Sequence, residues 1–232
     1  MDKKYKLIKS DIKGLYRVKA VRDFGDVKKG DIGGYVENPN NLSHEGYCWV
    51  HDNAIIHDNV KIYDNAIIHD NVNIYDNARI YGNSEIWDYA VIQDNARIYG
   101  DSQIWDYAVI DGNSRIYGDS QIWDYAIIRD NALIYGDSAI SGNAFIDGDA
   151  EIKTGRHIGY IEEKFKNVLY IQCQNSLITV YRDSSNIIKC NIGCQKRMTL
   201  TDLINRIKED GGMNEHREEY VRIMKNAHLL LR

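Results

Sequence analysis

The sequence predicts a mainly β fold: a three-sided parallel coil of six-residue segments, with a cap before it and a small α+β domain after it. Three observations carry this. Isoleucine occupies every sixth position from Ile56 to Ile152, seventeen times without a miss. A small residue, Ala, Val or Ser, stands two places before each one, from Ala54 to Ala150. The stretch RIYGDSQIWDYA occurs twice, letter for letter, at 97–108 and again at 115–126.

A period of six fits neither a helix of 3.6 residues per turn nor a flat hairpin meander. It fits short strands separated by tight corners. Ile suits a strand position whose side chain points inward. The Asp, Gly and Asn that follow, as in Asp58-Asn59, Gly82-Asn83 and Gly118-Asp119, suit corners because they tolerate positive φ. A small residue is needed where the chain bends over a crowded interior. Three segments make one triangular coil, and three segments are also the spacing of the two identical stretches. Each copy of RIYGDSQIWDYA therefore covers two sides of a coil, and the next copy sits directly above it. Nearly six coils stacked at ~4.8 Å give a prism roughly 28 Å long.

The motif Ile-x-(Asp/Gly)-(Asn/Asp/Tyr)-(Ala/Ser/Val)-x over residues 50–152 resembles the hexapeptide-repeat, left-handed parallel β-helix family. The left hand is what the resemblance implies; it runs against the usual right-handed crossover. The expected organisation is a cap over 1–49, the β-helix over 50–155 and the α+β domain over 156–232.

Residues one coil apart form columns on the outside. One face carries Tyr63, Tyr81, Tyr99, Tyr117 and Tyr135 beside Lys61, Arg79, Arg97 and Arg115. A second carries Trp87, Trp105 and Trp123, flanked by Glu85, Gln103 and Gln121. Its corner adds Asp88, Asp106 and Asp124 with Tyr89, Tyr107 and Tyr125, so the unit is Trp-Asp-Tyr. The third carries Ile55, Val91, Val109, Ile127 and Phe145, broken by Asn73, with His57, Tyr75, Gln93, Asp111, Arg129 and Asp147 alongside. Stacking like on like stabilises a parallel coil in itself. Yet nine of the 17 tyrosines and three of the four tryptophans lie on this exterior, and exposed apolar surface of that extent marks interfaces. The Trp-Asp-Tyr ladder is the candidate partner-binding face, with its acids complementing a basic partner. The arginine–tyrosine face is a secondary surface, in which Asp101 and Asp119 are expected to offset the arginines. The stripe Val91, Val109, Ile127 and Phe145 is the candidate for self-association as a dimer or trimer, or for docking the C-terminal segment.

The open ends of such a coil need caps. LYRVKAVRDF reads as a strand and GDVKKGDIGGYVENPNN as turn-rich loop. Residues 15–50 resemble the opening of a family of phage- and prophage-encoded hexapeptide-repeat proteins. Beyond 156, NVLYIQ, LITVYRD and IIKCNIG read as strands, the last two joined at Asp183-Ser184-Ser185-Asn186. TLTDLINRIKEDGG reads as a helix with Thr199 as N-cap, Asp202 at N3 and Gly211-Gly212 at its end. A last helix over 215–230 groups Tyr220, Ile223, Met224 and Ala227.

The formal charge of −5 argues against non-specific nucleic-acid binding. No apolar run is long enough for a bilayer, and MDKKYKLIKSDIKG has no apolar signal core, so a cytoplasmic protein is expected. Four cysteines in a chain of this length read as thiols, and Cys190-x-x-x-Cys194 with Cys173 is a weak metal pattern lacking a second pair. Many hexapeptide-repeat proteins are CoA-dependent acyltransferases that use a loop between coils and a histidine base. No insertion interrupts residues 50–152, and His51, His57 and His69 fill outward slots held elsewhere by Tyr, Trp or Gln. His44 and His157 lie outside the coils without an assignable partner. The expectation is therefore a non-enzymatic protein without cofactor. The resemblance implies phage origin and a bacterial host protein as partner, such as a nuclease effector complex that it would inhibit in the manner of an anti-CRISPR. An acyltransferase and a self-associating scaffold are the alternatives.

Overall fold

The computed structural model of the chain describes residues 3–142, 144–146, 151–153, 166–173, 176–182, 187–192, 195–209, 217–218, 220–221 and 224–225. Its central part is a three-sided parallel β-solenoid. Each side is a short strand ending on or just past the inward isoleucine, and strands one coil apart pair in register. Arg79–Ile80, Arg97–Ile98 and Arg115–Ile116 build one wall. Glu85–Ile86, Gln103–Ile104 and Gln121–Ile122 build the second, and Val91–Ile92, Val109–Ile110 and Ile127–Ile128 the third. Every repeat isoleucine is at most 1% exposed, and so are the described small residues two places before it up to Ile134. Two residues in six therefore build the whole interior.

The corners show why the other positions are restricted. From Gly46 to Gly142 every sixth residue takes the left-handed conformation: ten aspartates with φ between 48° and 62°, and glycines at the rest. That conformation costs an ordinary L-residue about 1–2 kcal/mol, and Asp and Gly least. The two corner types differ inside the coil. After the glycine corners at 82, 100, 118 and 136, Ser84, Ser102, Ser120 and Ser138 donate to the carbonyls of Tyr81, Tyr99, Tyr117 and Tyr135 at 2.7–2.9 Å. After described aspartate corners the same place holds Ala or Val.

The N-terminal end is closed by three strands, β1 (Tyr5–Lys9), β2 (Tyr16–Ala20) and β3 (Ile32–Val36). They pair antiparallel, and β3 then adds parallel to Ile55–Ile56. A Cβ at Gly33 would lie 2.2 Å from the Val50 carbonyl oxygen, and one at Gly34 would lie 2.7 Å from that of Ala54, so only Gly-Gly lets β3 lie this close to the first coil. Trp49 plugs the end, with Phe24 and Tyr5 edge-on at 5.3 and 6.3 Å. Lys4 is fully buried there, and its ammonium donates to the carbonyls of Glu45, Gly46 and Cys48 at 2.9–3.3 Å.

At the other end the third wall runs on. Ala144–Ile146 pairs parallel with Lys166–Cys173, and the antiparallel strands Ser176–Arg182, Ile188–Ile192 and Gln195–Met198 follow. One sheet of 13 strands thus joins both appendages to the solenoid. Helix α1 (Leu200–Glu209) has the expected capping box: the Asp202 amide donates to Thr199 Oγ1 at 3.2 Å, and the Thr199 amide to the Asp202 carboxylate at 2.9 Å. The Thr199 amide, and the Thr199 hydroxyl donating at 2.7 Å, hold the Asp202 carboxyl below its ordinary range. A second small core unites Val180, Cys190, Met198, Leu203, Ile207, Val221 and Met224. The expected turn at 183–186 and much of the 215–230 helix lie outside the described residues, as do His157, Cys194 and Asp147; residues 217, 218, 220, 221, 224 and 225 are helical.

Truncating one interior rung tests the energetic basis of the stack. Ile104→Ala leaves a cavity no neighbour fills and should cost about 2–5 kcal/mol, read by chemical denaturation. Gln103→Ala, at the neighbouring position and facing out, should stay within about 0.5 kcal/mol.

Candidate functional site

The Trp-Asp-Tyr corner is built by two consecutive features of the repeat. The residue after the inward Ile leaves the strand pointing outward, which places Trp87, Trp105 and Trp123 in one column. Two residues later the corner projects Tyr89, Tyr107 and Tyr125, which are 51%, 48% and 60% exposed and are among the most exposed large side chains of the chain. The tryptophan rings stack at 5.3 and 5.0 Å, within 6° of parallel. The tyrosines stack at 5.2 and 5.1 Å. Ring faces inside each column are covered by their neighbours, so the corner presents ring edges and hydroxyls to solvent.

Between the two columns runs the aspartate ladder. Asp88, Asp106 and Asp124 accept the backbone amides of Asp106, Asp124 and Gly142, one coil on, at 3.3, 3.2 and 2.8 Å. The ladder starts below them, with Asp52 and Asp70 accepting from Asp70 and Asp88 at 3.3 Å. These carboxylates thus hold adjacent corners together while standing between Trp and Tyr. Their amide bonds are a structural role that the sequence pattern did not disclose.

The secondary surface is equally regular. Tyr63, Tyr81, Tyr99, Tyr117 and Tyr135 stack at 4.8–5.0 Å, and Lys61, Arg79, Arg97 and Arg115 pair in register beside them. Desolvation holds the Tyr63, Tyr81 and Tyr99 hydroxyls above the ordinary tyrosine value, with the arginines pulling the other way. In the stripe on the third wall, Val91, Val109 and Ile127 lie in register, each partly exposed, and the strand holding Phe145 continues the column. Beside it Tyr75 donates to Gln93, which donates to Asp111 at 3.4 Å. The C-terminal segment extends this wall edge to edge.

The histidines take ladder positions. His51 stacks on His69 at 4.5 Å, and His57 stacks on Tyr75 at 5.3 Å with its Nδ1 2.7 Å from Asp58. Burial, and then the charge of His69, push the His51 pKa down. Among the described residues no group of three or more His, Cys, Asp or Glu is placed to hold a metal ion, and no helix is long and apolar enough to cross a membrane. Sequence reasoning missed the buried N-terminal cluster: Lys4 with Cys48 Sγ at 3.2 Å, Tyr5 donating to the Leu42 carbonyl at 2.6 Å, and His44 packed on Tyr5 with a buried Nδ1 lacking a partner. The charged hexapeptide MDKKYK carries no periodic apolar signal that would mark Lys4 and Tyr5 as buried.

The fold and the six-residue rule define a hexapeptide-repeat β-solenoid protein. Residues 47–82 match the family model described as Bacterial transferase hexapeptide (six repeats), and the same rule continues in the chain to Ile152. The comparison with curated proteins returns no match.

The corner bonds make a prediction about the aspartates themselves. Asp106→Gly keeps the backbone conformation and loses only the amide acceptor. Asp106→Ala adds left-handed strain and should be less stable than the Gly variant by about 1 kcal/mol in denaturant melts.

Proposed function

We propose that this protein is a non-enzymatic binding module whose Trp-Asp-Tyr corner docks a protein partner. The observation that carries this is the ridge Tyr89–Tyr107–Tyr125, about half exposed yet held rigid by stacking. A preorganised aromatic row loses little side-chain entropy on binding, and Trp and Tyr dominate interface hot spots. The edge-on rings disfavour ligands that stack on ring faces, such as bases and sugars, and suit the mixed polar and apolar surface of a protein. Asp88, Asp106 and Asp124 add negative charge that favours a basic partner. The resemblance of residues 15–50 to phage-encoded proteins makes a bacterial defence nuclease the partner to test first. In pull-downs with purified effector complexes, the wild type should retain its partner and the triple variant Tyr89→Ser, Tyr107→Ser, Tyr125→Ser should lose it by more than about tenfold in Kd. Equal retention by both proteins rejects the ridge as the binding face.

A second reading is a CoA-dependent acyltransferase. It is favoured by the match of residues 47–82 to the transferase hexapeptide model, a segment that includes His51, His57 and His69. Titration calorimetry with acetyl-CoA separates the two: saturable binding in the ~μM range, abolished by His57→Ala, replaces the binding-module reading, and no heat of binding retires the enzyme.

A further inference from the structure

The repeated pentapeptide RIYGD builds three neighbouring columns, arginines on one wall, tyrosines at its end and aspartates on the corner just past Gly100 and Gly118, and the two outer ones are charged. Arg97 and Arg115 are exposed and stand in register with Arg79 and Lys61. Directly opposed like charges destabilise a sheet. Among the described residues none of these four cations has an ion pair. Four residues after Arg97 and Arg115, at the next corner, come Asp101 and Asp119, and Asp137 continues their column; all three are exposed and likewise form no ion pair. Asp101 accepts the neutral side-chain amide of Asn83 at 2.7 Å, which leaves its charge uncompensated. The expected offset of the arginines by Asp101 and Asp119 is thus not made by ion pairs within one chain. Desolvation, together with Asp137 and Asp101, holds the Asp119 carboxyl above its ordinary range. Between the two columns stand the partly exposed stacked rings of Tyr99 and Tyr117.

The spacing restricts what such a face fits. Charges here recur once per stacked strand, every ~4.8 Å. Side chains on one face of an extended strand recur every ~6.6 Å, and those at i and i+4 of a helix every ~6 Å. A partner that matches rung for rung must itself be a ladder of stacked strands with the opposite charge order. This chain has that ladder. Rotating the face by half a turn about an axis parallel to the solenoid, along the tyrosine column, carries cation column onto acid column and acid onto cation, and leaves every rung at its own height. A two-fold axis perpendicular to the solenoid would set cation against cation.

We propose that two copies of the chain pair through this face as a parallel dimer, with Arg97 and Arg115 of each copy meeting Asp101 and Asp119 of the other around a central tyrosine ladder. The contact is isologous, as a two-fold requires. It has an aromatic centre and a charged rim that fixes register. It lies on a different face from the Trp-Asp-Tyr corner and from the Val91–Ile127 stripe, so it stands independently of the proposed function.

Sedimentation velocity on the full chain tests it with charge reversal. Wild type should be a dimer that weakens as salt rises from about 0.05 M to about 0.5 M. The pair Arg97→Glu, Arg115→Glu and the pair Asp101→Arg, Asp119→Arg should each weaken self-association by more than about tenfold. Mixed together, the two variants should form a heterodimer, because each now supplies a single sign. Val109→Glu should leave the dimer intact. A wild-type monomer, half-reversed variants that still dimerise, or a mixture that stays monomeric each overturns the proposal. Circular dichroism confirms that the variants fold, and the milder pair Arg97→Gln, Arg115→Gln serves if a reversed pair does not; it should also weaken the dimer.

Discussion

The structure depends on a backbone constraint more than on any side-chain contact. A closed three-sided coil of hexapeptides must turn once per hexapeptide, and each turn is made by one residue in the left-handed region. Only Gly and Asp occupy that place from 46 to 142. Once the corner is fixed, the geometry of the other positions follows. The residue before the isoleucine must be outward, the isoleucine inward, and the residue two before it small enough to share the interior. Aspartate serves twice in this scheme. It tolerates the conformation, and its carboxylate accepts the amide of the corner above, a bond that glycine cannot offer. Five of the seven glycine corners from 46 to 142 carry another device, an inward serine two residues later that takes up the carbonyl three residues before it, a tyrosine carbonyl in four of them.

Uniform rungs create a problem of their own. With the same isoleucine at every height, the interior carries no information about which coil belongs where. Position is set at the ends. The N-terminal strands seat their glycine pair against Val50 and Ala54, and Lys4 saturates the carbonyls of the loop that opens the first coil. An ammonium this deeply buried is tolerable only because three carbonyls and a thiol surround it. Its pKa is lowered by burial all the same. The C-terminal strands end the stack by turning the third wall from parallel to antiparallel pairing, which continues the sheet while leaving the coil.

The legible part of this molecule is the part that repeats. The isoleucine period, the corner residues and the three outer columns could be placed from the sequence because each position is sampled many times, and the Thr199–Asp202 cap because it is a short local signal. What stayed hidden is what occurs once. Lys4 and Tyr5 sit in a charged hexapeptide with no periodicity, and their burial depends on a loop some forty positions away in the chain. The strand Gln195–Met198 is polar, with two consecutive basic residues, and is a strand only because Ile188–Ile192 offers it an edge. The aspartate ladder was visible as composition and not as bonding, since its partner amides lie a full coil further along the chain and depend on corner geometry.

The outer ladders differ in how much of their existence stacking alone explains. Asn59 with Asn77, Asn95 with Asn113 and Asn113 with Asn131 bond side chain to side chain at 3.0–3.2 Å, and that bonding suffices to account for an asparagine column. The tyrosine and tryptophan columns likewise gain from ring contact. The arginine column gains nothing of this kind from its own neighbours, and the carboxylates of Asp101, Asp119 and Asp137 set like charge upon like charge at the next corner. Two columns whose charges each repel within the monomer, placed on either side of one aromatic ladder and repeated at the same height, find their compensation outside the single chain. The same six-residue rule that makes the interior anonymous makes the exterior commensurate with any second solenoid of the same pitch, and the most available solenoid of that pitch is another copy of the chain.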